Sequence, residues 1–294
     1  MRARFAIETA LALFVFASAY PLIRIGLSEI PPLTLGAVRF VLACVVMLPL
    51  AMMHHPATSW KVSRRDLVAI TCLAVAQIVI PNALQNIGME YTTASVSSVL
   101  QSTTPVFTLL LSIVVLKEHL AIKDLVGMIL ALSGVTLLST GGDLTSLGSI
   151  VFVGNVLQVG VAASYAVSGI LGKGLLNQHR PILVVSACFV IGAVVLTFLS
   201  ALFERSLWPA SLSASVLVAV LLLSFMYCAA LVCWYDVLQQ TPAFKLYVLL
   251  FTMPVLAVVI SVVTLGETFT LMDVLFSALT VCGVALTQLR RLER

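Results

Sequence analysis

A stretch of 34 residues occurs twice in this chain, and this duplication limits the folds that are open to it. Residues 104–137 form an apolar run, a short polar turn and a second apolar run, and the same order returns 149 positions later at residues 253–286. Eleven of the aligned positions are identical. Matching Leu and Val carry little weight in apolar helices, but four ordered pairs carry more: Pro105 and Pro254, Glu118 and Glu267, Asp124 and Asp273, and Gly134 and Gly283. An internal repeat predicts two copies of one structural unit.

The rest of the chain is apolar as well. Hydrophobic residues make up 61% of the 294 positions and charged residues only 10%, whereas a soluble domain has about 25% charged residues. A helix needs about 20 apolar residues to cross a bilayer. Ten segments come near this length: 6–27, 33–53, 67–87, 93–116, 122–140, 149–171, 182–203, 212–237, 243–265 and 271–289. We therefore predict an all-α integral membrane protein with ten transmembrane helices.

The positions of the sixteen Lys and Arg residues predict how these segments are oriented. With a cytoplasmic N-terminus, thirteen of them fall on the cytoplasmic side and only Arg205 falls in the outer loops, while Arg24 and Arg39 lie within or at the outer end of apolar segments. Positive charge collects on the cytoplasmic side of membrane proteins. The sequence therefore predicts a multi-pass protein of a bacterial-type inner membrane with both termini in the cytoplasm. The net charge of +4 then reflects topology and not a nucleic acid partner.

Each copy contains five predicted spans, which is an odd number. The second copy must therefore enter the membrane from the opposite side. We predict two inverted repeats of five helices each, in residues 1–143 and 144–294, with Glu118 on the cytoplasmic side and Glu267 on the outer side. Interlocked inverted repeats are typical of transporters, in which the substrate site lies near the midplane between the halves and access alternates.

Both copies resemble the EamA domain of the drug/metabolite transporter superfamily, and the resemblance covers nearly the whole chain. The stretches that carry it are GAVRF (36–40), TPVFTLLLSIVVLKEHL (104–120), GMILALSGV (127–135), TMPVLAVVISVVTLGETF (252–269) and CGVALT (282–287). The resemblance implies ten transmembrane helices and export of small metabolites, often amino acids or related organic compounds, and it leaves the substrate open. The second copy has Cys188 where the first has Arg39, so this arginine has no counterpart.

Polar side chains within the third and fourth segments are the first candidates for a substrate cavity. They are Gln77, Asn82, Gln85, Asn86, Ser95, Ser98 and Ser102. Asn82, Gln85 and Asn86 share one helical face because of their i, i+3, i+4 spacing. Positions that face lipid are expected to be plain apolar residues, so a polar face points into the bundle. In the alternative interpretation these side chains only hydrogen-bond neighbouring helices.

At the repeat offset of 149 residues, aromatic residues of the second copy correspond to polar residues of the first. The pairs are Gln85 with Trp234, Asn86 with Tyr235, Ser98 with Tyr247, and Ser102 with Phe251. A cavity lined by both sets would have a polar wall and an aromatic wall, which suits an amphipathic organic solute. For Trp234 and Tyr235 an aromatic belt at the membrane interface is the other possibility. Tyr20 in the first segment and Gln158 and Tyr165 in the sixth complete the candidate set.

Charged residues near the spans also have competing interpretations. Charges within spans rarely face lipid, so one interpretation is that Arg24 or Arg39 attracts a substrate carboxylate. For Arg39 the other interpretations are a structural polar anchor and a role in an ion pathway. Arg24 is expected to reach the outer surface and pair with Glu29. Glu118 and Glu267 lie at helix ends beside turns, where we expect them to cap helices or interact with helix dipoles.

These features predict a secondary transporter that exports small amphipathic organic metabolites by alternating access, as a monomer or homodimer in the lipid bilayer. The first alternative is an intramembrane enzyme, which would need paired Asp, HExxH or a Ser/His couple at membrane depth, and the mid-membrane segments contain no His. The second is a membrane scaffold that transports nothing. The sequence has no GxxxxGK(S/T) motif and no CxxC pair, so we expect no catalytic residue, no metal and no cofactor.

Overall fold

The structure is a computed structural model, and it describes residues 2–54, 63–116, 122–143, 145, 148–176, 179, 181–205, 209, 211–240 and 252–292. Regular structure within these ranges is helical throughout. The helices are α1 (Arg2–Leu27), α2 (Pro32–His54), α3 (Arg64–Ala74), α4 (Ile80–Met89), α5 (Ala94–Gln101), α6 (Thr104–Leu116), α7 (Ile122–Thr140), α8 (Ile150–Leu176), α9 (Pro181–Phe203), α10 (Ala214–Gln240), α11 (Thr252–Leu265) and α12 (Leu271–Leu292). A π-helical turn, Val75–Val79, joins α3 to α4.

The surface of the bundle is suited to lipid. Six helical stretches among the described residues are long and apolar enough to cross a membrane, judged by length and composition, and four shorter apolar helices accompany them. Val45, Phe198 and Val263 are 64%, 64% and 79% exposed, and many other large apolar side chains are exposed as well. A soluble monomer rarely exposes apolar patches of this extent to water. The chain is therefore a multi-pass membrane protein whose described residues form a helical bundle.

Two of the predicted segments are interrupted near their prolines. In the third segment the π turn at Val75–Val79 lies just before Pro81, which has no amide hydrogen to close the regular helical bond. A π turn is one way in which a helix accommodates such a gap. The fourth segment is split into α5 and α6 at Ser102, shortly before Pro105. Pro21, in contrast, lies inside the continuous helix α1.

Helix boundaries recur at the offset of the sequence repeat. Three pairs of boundaries are each 149 positions apart: the ends of α1 and α8 at Leu27 and Leu176, the starts of α2 and α9 at Pro32 and Pro181, and the starts of α7 and α12 at Ile122 and Leu271. Two of these pairs keep the residue type, Leu and Pro, and the third pairs Ile122 with Leu271. The agreement therefore extends the repeat from sequence identity to structure.

Helices of the two copies pack against each other. α7 lies along α12, α2 lies along α9, α1 packs on α10 and α11, and α8 packs on α4 and α6. The α7–α12 contact is close because glycines face it. A Cβ atom added to Gly134 would lie 2.6 Å from the amide nitrogen of Thr280, and one added to Gly283 would lie 2.7 Å from the carbonyl oxygen of Gly127. Small residues let membrane helices approach closely, which explains why this glycine occurs in both copies.

An aromatic cluster lies where α2, α9 and α10 meet. Phe40 packs edge-on against Phe189 with ring centroids 5.3 Å apart, and Tyr227 stacks on Phe189 at 6.2 Å. Both phenylalanines are buried. Aromatic pairs of this geometry contribute about 0.5–1.5 kcal/mol beyond the burial of their area. The cluster forms one part of the bundle interior, and buried polar residues form another.

Candidate functional site

A chain of buried hydrogen bonds crosses the interior of the bundle. The hydroxyl of Tyr20 donates to Gln101 Oε1 at 3.0 Å, Gln101 Nε2 donates to Gln158 Oε1 at 2.7 Å, and Gln158 Nε2 donates to the carbonyl oxygen of Gln85 at 3.0 Å. The four residues belong to α1, α5, α8 and α4. Gln158 is 0% exposed, and buried amides require such partners. The chain therefore connects helices from both copies of the repeat through polar side chains.

The helices bring these side chains to a similar depth. Tyr20 lies seven residues before the end of α1, Gln101 seven residues after the start of α5, and Gln158 eight residues after the start of α8. At 1.5 Å per residue, each lies about 10–12 Å from its helix end. Arg24 of α1 donates to the carbonyl oxygen of Met89 at the end of α4, so these helix ends lie together. The polar chain is thus well inside the bundle.

Arg39 is buried close to this chain and packs on aromatic rings. Its guanidinium carbon lies 4.5 Å from the centre of the Tyr227 ring and 5.5 Å from that of Phe40. Nη1 makes a long contact of 3.5 Å with Asn82 Oδ1, and Nε has no hydrogen-bond partner. Tyr165 lies near enough to interact electrostatically with Arg39 and with Tyr227. Cation–π contacts reach about 2 kcal/mol when desolvated, so the rings help to hold this charge in the interior.

Amides of the third segment extend the polar interior. Asn86 Nδ2 donates to the carbonyl oxygen of Pro32 at 2.8 Å, while its Oδ1 has no partner. Asn82 Nδ2 donates at 2.8 Å to a carbonyl one turn earlier in its own segment. Gln77 is half-buried in the π turn. Asn86 Oδ1 and Arg39 Nε are therefore buried polar atoms with capacity for a ligand or for water.

The three serine candidates have satisfied hydroxyls. Ser98 donates to the carbonyl oxygen of Ser95 at 2.7 Å, and Ser102 donates to that of Val99 at 2.6 Å. The Ser95 hydroxyl donates to Glu267 at 2.5 Å. Serine hydroxyls also have acceptor capacity, so the cavity role expected for these residues stays a prediction.

Two carboxylates cap helix starts across the bundle. Glu267 accepts hydrogen bonds from the first two amides of α5 at 2.8 and 3.0 Å. Glu204 is buried and accepts from the amides of Leu33 and Thr34 at 2.9 and 2.7 Å, and from the Thr34 hydroxyl at 2.7 Å. The first amides of a helix have no acceptor within the helix, and negative charge is favourable there. Each carboxylate follows a helix of the second copy and caps a helix of the first.

Other charged groups lie beside these caps. Glu29 accepts a hydrogen bond from the amide of Ser213 at 2.7 Å, whereas Arg24, its expected partner, donates to a carbonyl oxygen of α4. The hydrogen bonds from Ser213 lower the pKa of Glu29. Burial and the nearby charge of Glu204 raise the pKa of Glu90, and the positive charge of Arg24 opposes them.

Several candidate side chains lie beyond what the structure describes. Glu118, Tyr247 and Phe251 fall outside the described residues. Trp234 and Tyr235 belong to α10, of which only the helical backbone is described at these positions. Their proposed roles stay predictions. Within the described part of the chain, no group of three or more His, Cys, Asp or Glu residues comes close enough together to hold a metal ion.

Three residues of this interior, Gln101, Tyr227 and Glu204, were not among the predicted site residues. Tyr227 lies within an apolar segment, where an aromatic residue looks like ordinary packing, and the repeat offset pairs it with the apolar Ile78. Glu204 follows the last apolar residue of α9 and precedes Arg205, as a solvated charge at a helix end would. No local pattern signals the pairing of Glu204 with Thr34, because the two are far apart in sequence.

The fold and the polar interior together define a class of protein. Apolar helices that bury connected polar side chains are typical of membrane transport proteins. The sequence profile of the EamA-like transporter family matches residues 5–140 and again residues 152–289. The chain belongs to the EamA-like transporter family.

Individual relatives agree with this assignment. An uncharacterized transporter of Archaeoglobus fulgidus is 26% identical over 279 residues, which cover 95% of each chain. The uncharacterized transporter YdfC of Bacillus subtilis is 29% identical over 293 residues, which cover 97% of this chain and 90% of the relative. A solved crystal structure matches 100% of both chains with a TM-score of 0.67 at 19% identity, which supports the fold alone.

Proposed function

We propose that this protein is a secondary transporter that exports small amphipathic organic metabolites, such as amino acids or related compounds, by alternating access. Residues 1–143 and 144–294 form two inverted halves with five spans each, and both termini lie in the cytoplasm of a bacterial-type cell. The solute path runs between the halves, through the buried polar interior.

The hydrogen bond between Gln101 and Gln158 is the observation that carries this proposal. Polar groups inside membrane helices are costly, and they commonly serve a path for a substrate or an ion. Gln101 belongs to the first half and Gln158 to the second. A movement of the halves against each other must therefore break or shift this bond. Alternating access at a site between inverted repeats requires such a rearrangement.

The neighbourhood of the polar chain supports an amphipathic solute. Buried amide and hydroxyl groups provide hydrogen-bond partners for a polar head group. The rings of Phe40, Phe189 and Tyr227 provide an apolar surface close by. Sites for small organic ligands usually combine an apolar lining with a few polar groups that fix orientation.

The ends of equivalent helices support the inversion of the halves. Arg24, near the end of α1, contacts Met89. Gly154, near the start of α8, lies against Tyr91, since a Cβ atom on this glycine would lie 2.8 Å from the Tyr91 Cβ atom. The end of α1 therefore lies near the start of its counterpart α8, which supports opposite directions for these two equivalent helices.

Transport is tested with purified protein in proteoliposomes. A resistance screen first identifies solutes: cells that overproduce the protein are exposed to toxic metabolites, and the solutes that they survive are used for flux. We expect Gln85→Ala, Asn86→Ala, Tyr247→Ala and Gln158→Leu to lower flux without loss of membrane insertion. Thr136→Ala, at an exposed position of α7, is the control that should transport normally.

Two outcomes would contradict the proposal in different ways. Normal flux in all four site variants would show that these residues do not form the substrate site, while the transport function itself would stand. An inserted, folded wild-type protein that moves no solute would favour a scaffold.

The inversion has its own test, which is labelling with a membrane-impermeant thiol reagent in intact cells. We expect Thr268→Cys to react from outside and His119→Cys to react only after the cells are made permeable. Reaction of both from the same side would exclude inverted halves.

A further inference from the structure

The guanidinium of Arg39 lies in the bundle interior with few polar partners. The residue is 5% exposed. Its hydrogen bonding within the described part of the chain consists of the 3.5 Å contact with Asn82, and Nε has no partner. A guanidinium has five N–H donors. The rings of Tyr227 and Phe40 stabilise the charge but leave most of the hydrogen-bonding capacity of the group unused.

No carboxylate with a described side chain pairs with Arg39. Those carboxylates lie near helix ends and interact with other groups: Glu29, Asp66, Glu90, Asp143, Glu204, Glu267 and Asp273. Three more lie where only the helical backbone is described: Glu8 on α1, Asp236 on α10, and Asp124 at the start of α7, which packs mainly on α12. The ring of Tyr227, which contacts Arg39, lies 5.7 Å from the ring of Phe16 between centroids, so both rings are near the level of Arg39. Glu8 lies eight residues before Phe16, and Asp236 lies nine residues after Tyr227. Glu8 and Asp236 are therefore about 12 Å or more further along their helices.

A buried arginine without an anion is energetically unfavourable. An arginine at the centre of a membrane helix costs about 2.5–3.5 kcal/mol on insertion scales, and the cation–π contact offsets part of this cost. A carboxylate would offset more, because the planar guanidinium binds its two oxygens through paired N–H groups. The second copy of the repeat has Cys188 at this position and folds alike, so the repeat architecture does not itself require the charge.

We infer that Arg39 binds the carboxylate of the transported solute, with Asn82 and the Tyr227 ring holding the guanidinium in place. This inference rests on the proposed transport function, because the alternation of the halves is what opens the buried site to a solute. The solute class is a small organic acid or amino acid with an apolar body. A carboxylate fits better than a phosphate: Arg39 is the only buried Lys or Arg among the described side chains, and a phosphate group carries about two negative charges.

Binding is measured as thermal stabilisation of the purified protein in detergent. The probes form two series with a common body: 3-phenylpropionate, 3-phenylpropionamide and 2-phenylethyl phosphate, and hexanoate, hexanamide and hexyl phosphate. We expect at least one carboxylate to stabilise the wild type more than its amide and its phosphate do. Arg39→Gln should weaken that binding by about ten- to a hundredfold.

Two further variants test the chemistry of the group. Arg39→Lys should bind the carboxylate with intermediate affinity, because it keeps the charge but loses the planar fork. Arg205→Gln is the matched control, since it removes an exposed positive charge and should bind as the wild type does. Binding of the amides should be the same in the wild type and in Arg39→Gln.

The stability of the unliganded variants separates binding from a purely structural role. If the role of Arg39 is to bind a ligand, the unliganded Arg39→Gln protein should unfold at the same temperature as the wild type or higher, because the substitution removes an uncompensated buried charge. A structural anchor would give a lower unfolding temperature and no effect on binding of the carboxylate.

Several results would overturn the inference. They are equal carboxylate affinity in wild type and Arg39→Gln, no stabilisation of the wild type by either carboxylate, or a stronger response to the phosphates. If neutral solutes nevertheless cross proteoliposomes, the transport function stands and only the role of Arg39 fails. The complete absence of flux would remove the transport function instead.

Discussion

Phe40 and Phe189 pack edge-on with ring centroids 5.3 Å apart, and they occupy the same position in the two copies of the repeat. Such a contact between equivalent residues is expected if an approximate twofold axis relates the two copies, as in the proposed inverted halves. The preceding residues differ, since Arg39 in α2 corresponds to Cys188 in α9. The two copies therefore differ chemically beside this contact, and only the first copy carries a positive charge there.

Because α7 and α12 approach closely, the stability of the protein should be sensitive to added side-chain volume at their contact. Gly283→Ala places a methyl group against the backbone of Ala131 and Gly127. Overpacking of this kind typically costs about 1–3 kcal/mol. We expect a lower unfolding temperature of the purified protein. Gly169→Ala in α8 is the matched control: its added Cβ meets nothing within 4 Å, so it should be neutral or slightly stabilising. Equal behaviour of the two variants would refute the packing argument.

The cap on α5 predicts that Glu267→Gln destabilises the protein. The carboxylate accepts from two amides and from the Ser95 hydroxyl, and a glutamine has only one acceptor oxygen for these donors. Hydrogen bonds to charged groups contribute about 1.5–3 kcal/mol, and the thermal unfolding temperature reports the loss. Glu29→Gln, which changes only the contact with Ser213 at a more exposed site, should have a much smaller effect at neutral pH. A Glu267→Gln protein as stable as the wild type would exclude the cap as a stabilising contact.

The buried hydrogen-bond chain predicts that removal of the Tyr20 hydroxyl lowers the stability of the protein. Tyr20→Phe leaves Gln101 Oε1 without its donor, and an unsatisfied buried acceptor costs about 1–3 kcal/mol. We expect a lower unfolding temperature and, if the site is as proposed, slower flux in proteoliposomes. Tyr91→Phe, at a side chain that is 38% exposed, should change neither. Unchanged stability and flux in Tyr20→Phe would show that the hydroxyl is dispensable.

Glu90 predicts a dependence of stability on pH. Its pKa is raised in the folded protein by burial and by Glu204, so the folded state holds its proton more tightly than the unfolded state does. This contribution favours folding below the ordinary glutamate value of about 4.3, and it is lost as the pH rises through the raised pKa. Glu90→Gln should therefore unfold at a higher temperature than the wild type at pH 7, with the difference shrinking at pH 4.

Glu29 provides the control of opposite sign for this experiment. Its pKa is lowered by Ser213, so its contribution to stability is present above the ordinary glutamate value and is lost as the pH falls through the lowered pKa. Glu29→Gln should unfold at a slightly lower temperature than the wild type at pH 7. The same direction of shift in both variants at pH 7 would contradict the electrostatic assignment.

Regular helices could be predicted from the sequence because apolar runs of about 20 residues are a strong local signal. The starts of α7 and α9 fall within one residue of the predicted segment starts at 122 and 182. The π turn before Pro81 was not predicted, because proline signals a missing hydrogen bond but not how the helix accommodates it. The break at Ser102 is similar: Pro105 has no amide hydrogen for the carbonyl oxygen of Gln101, and the Thr104 hydroxyl donates to that oxygen instead.

The pairing of polar groups was harder to predict than their presence. Gln158 stood out as a polar residue in an apolar helix, yet its bond to Gln101 depends on the axial shift between α5 and α8. That shift is a tertiary property, and no local pattern encodes it. Tyr227 was overlooked for another reason: its ring packs like any core residue, and only the contact with Arg39 sets it apart.

The α7–α12 contact has a consequence for how the protein is made. α7 leaves the ribosome well before α12, which begins 149 positions later. At 5–20 residues per second, this delay is on the order of ten seconds. During that time the face of α7 around Gly134 must be covered by lipid, by the insertion machinery or by a temporary neighbour. A chain that stalls before α12 keeps such a substitute covering, so the native packing of α7 depends on completion of the last helix.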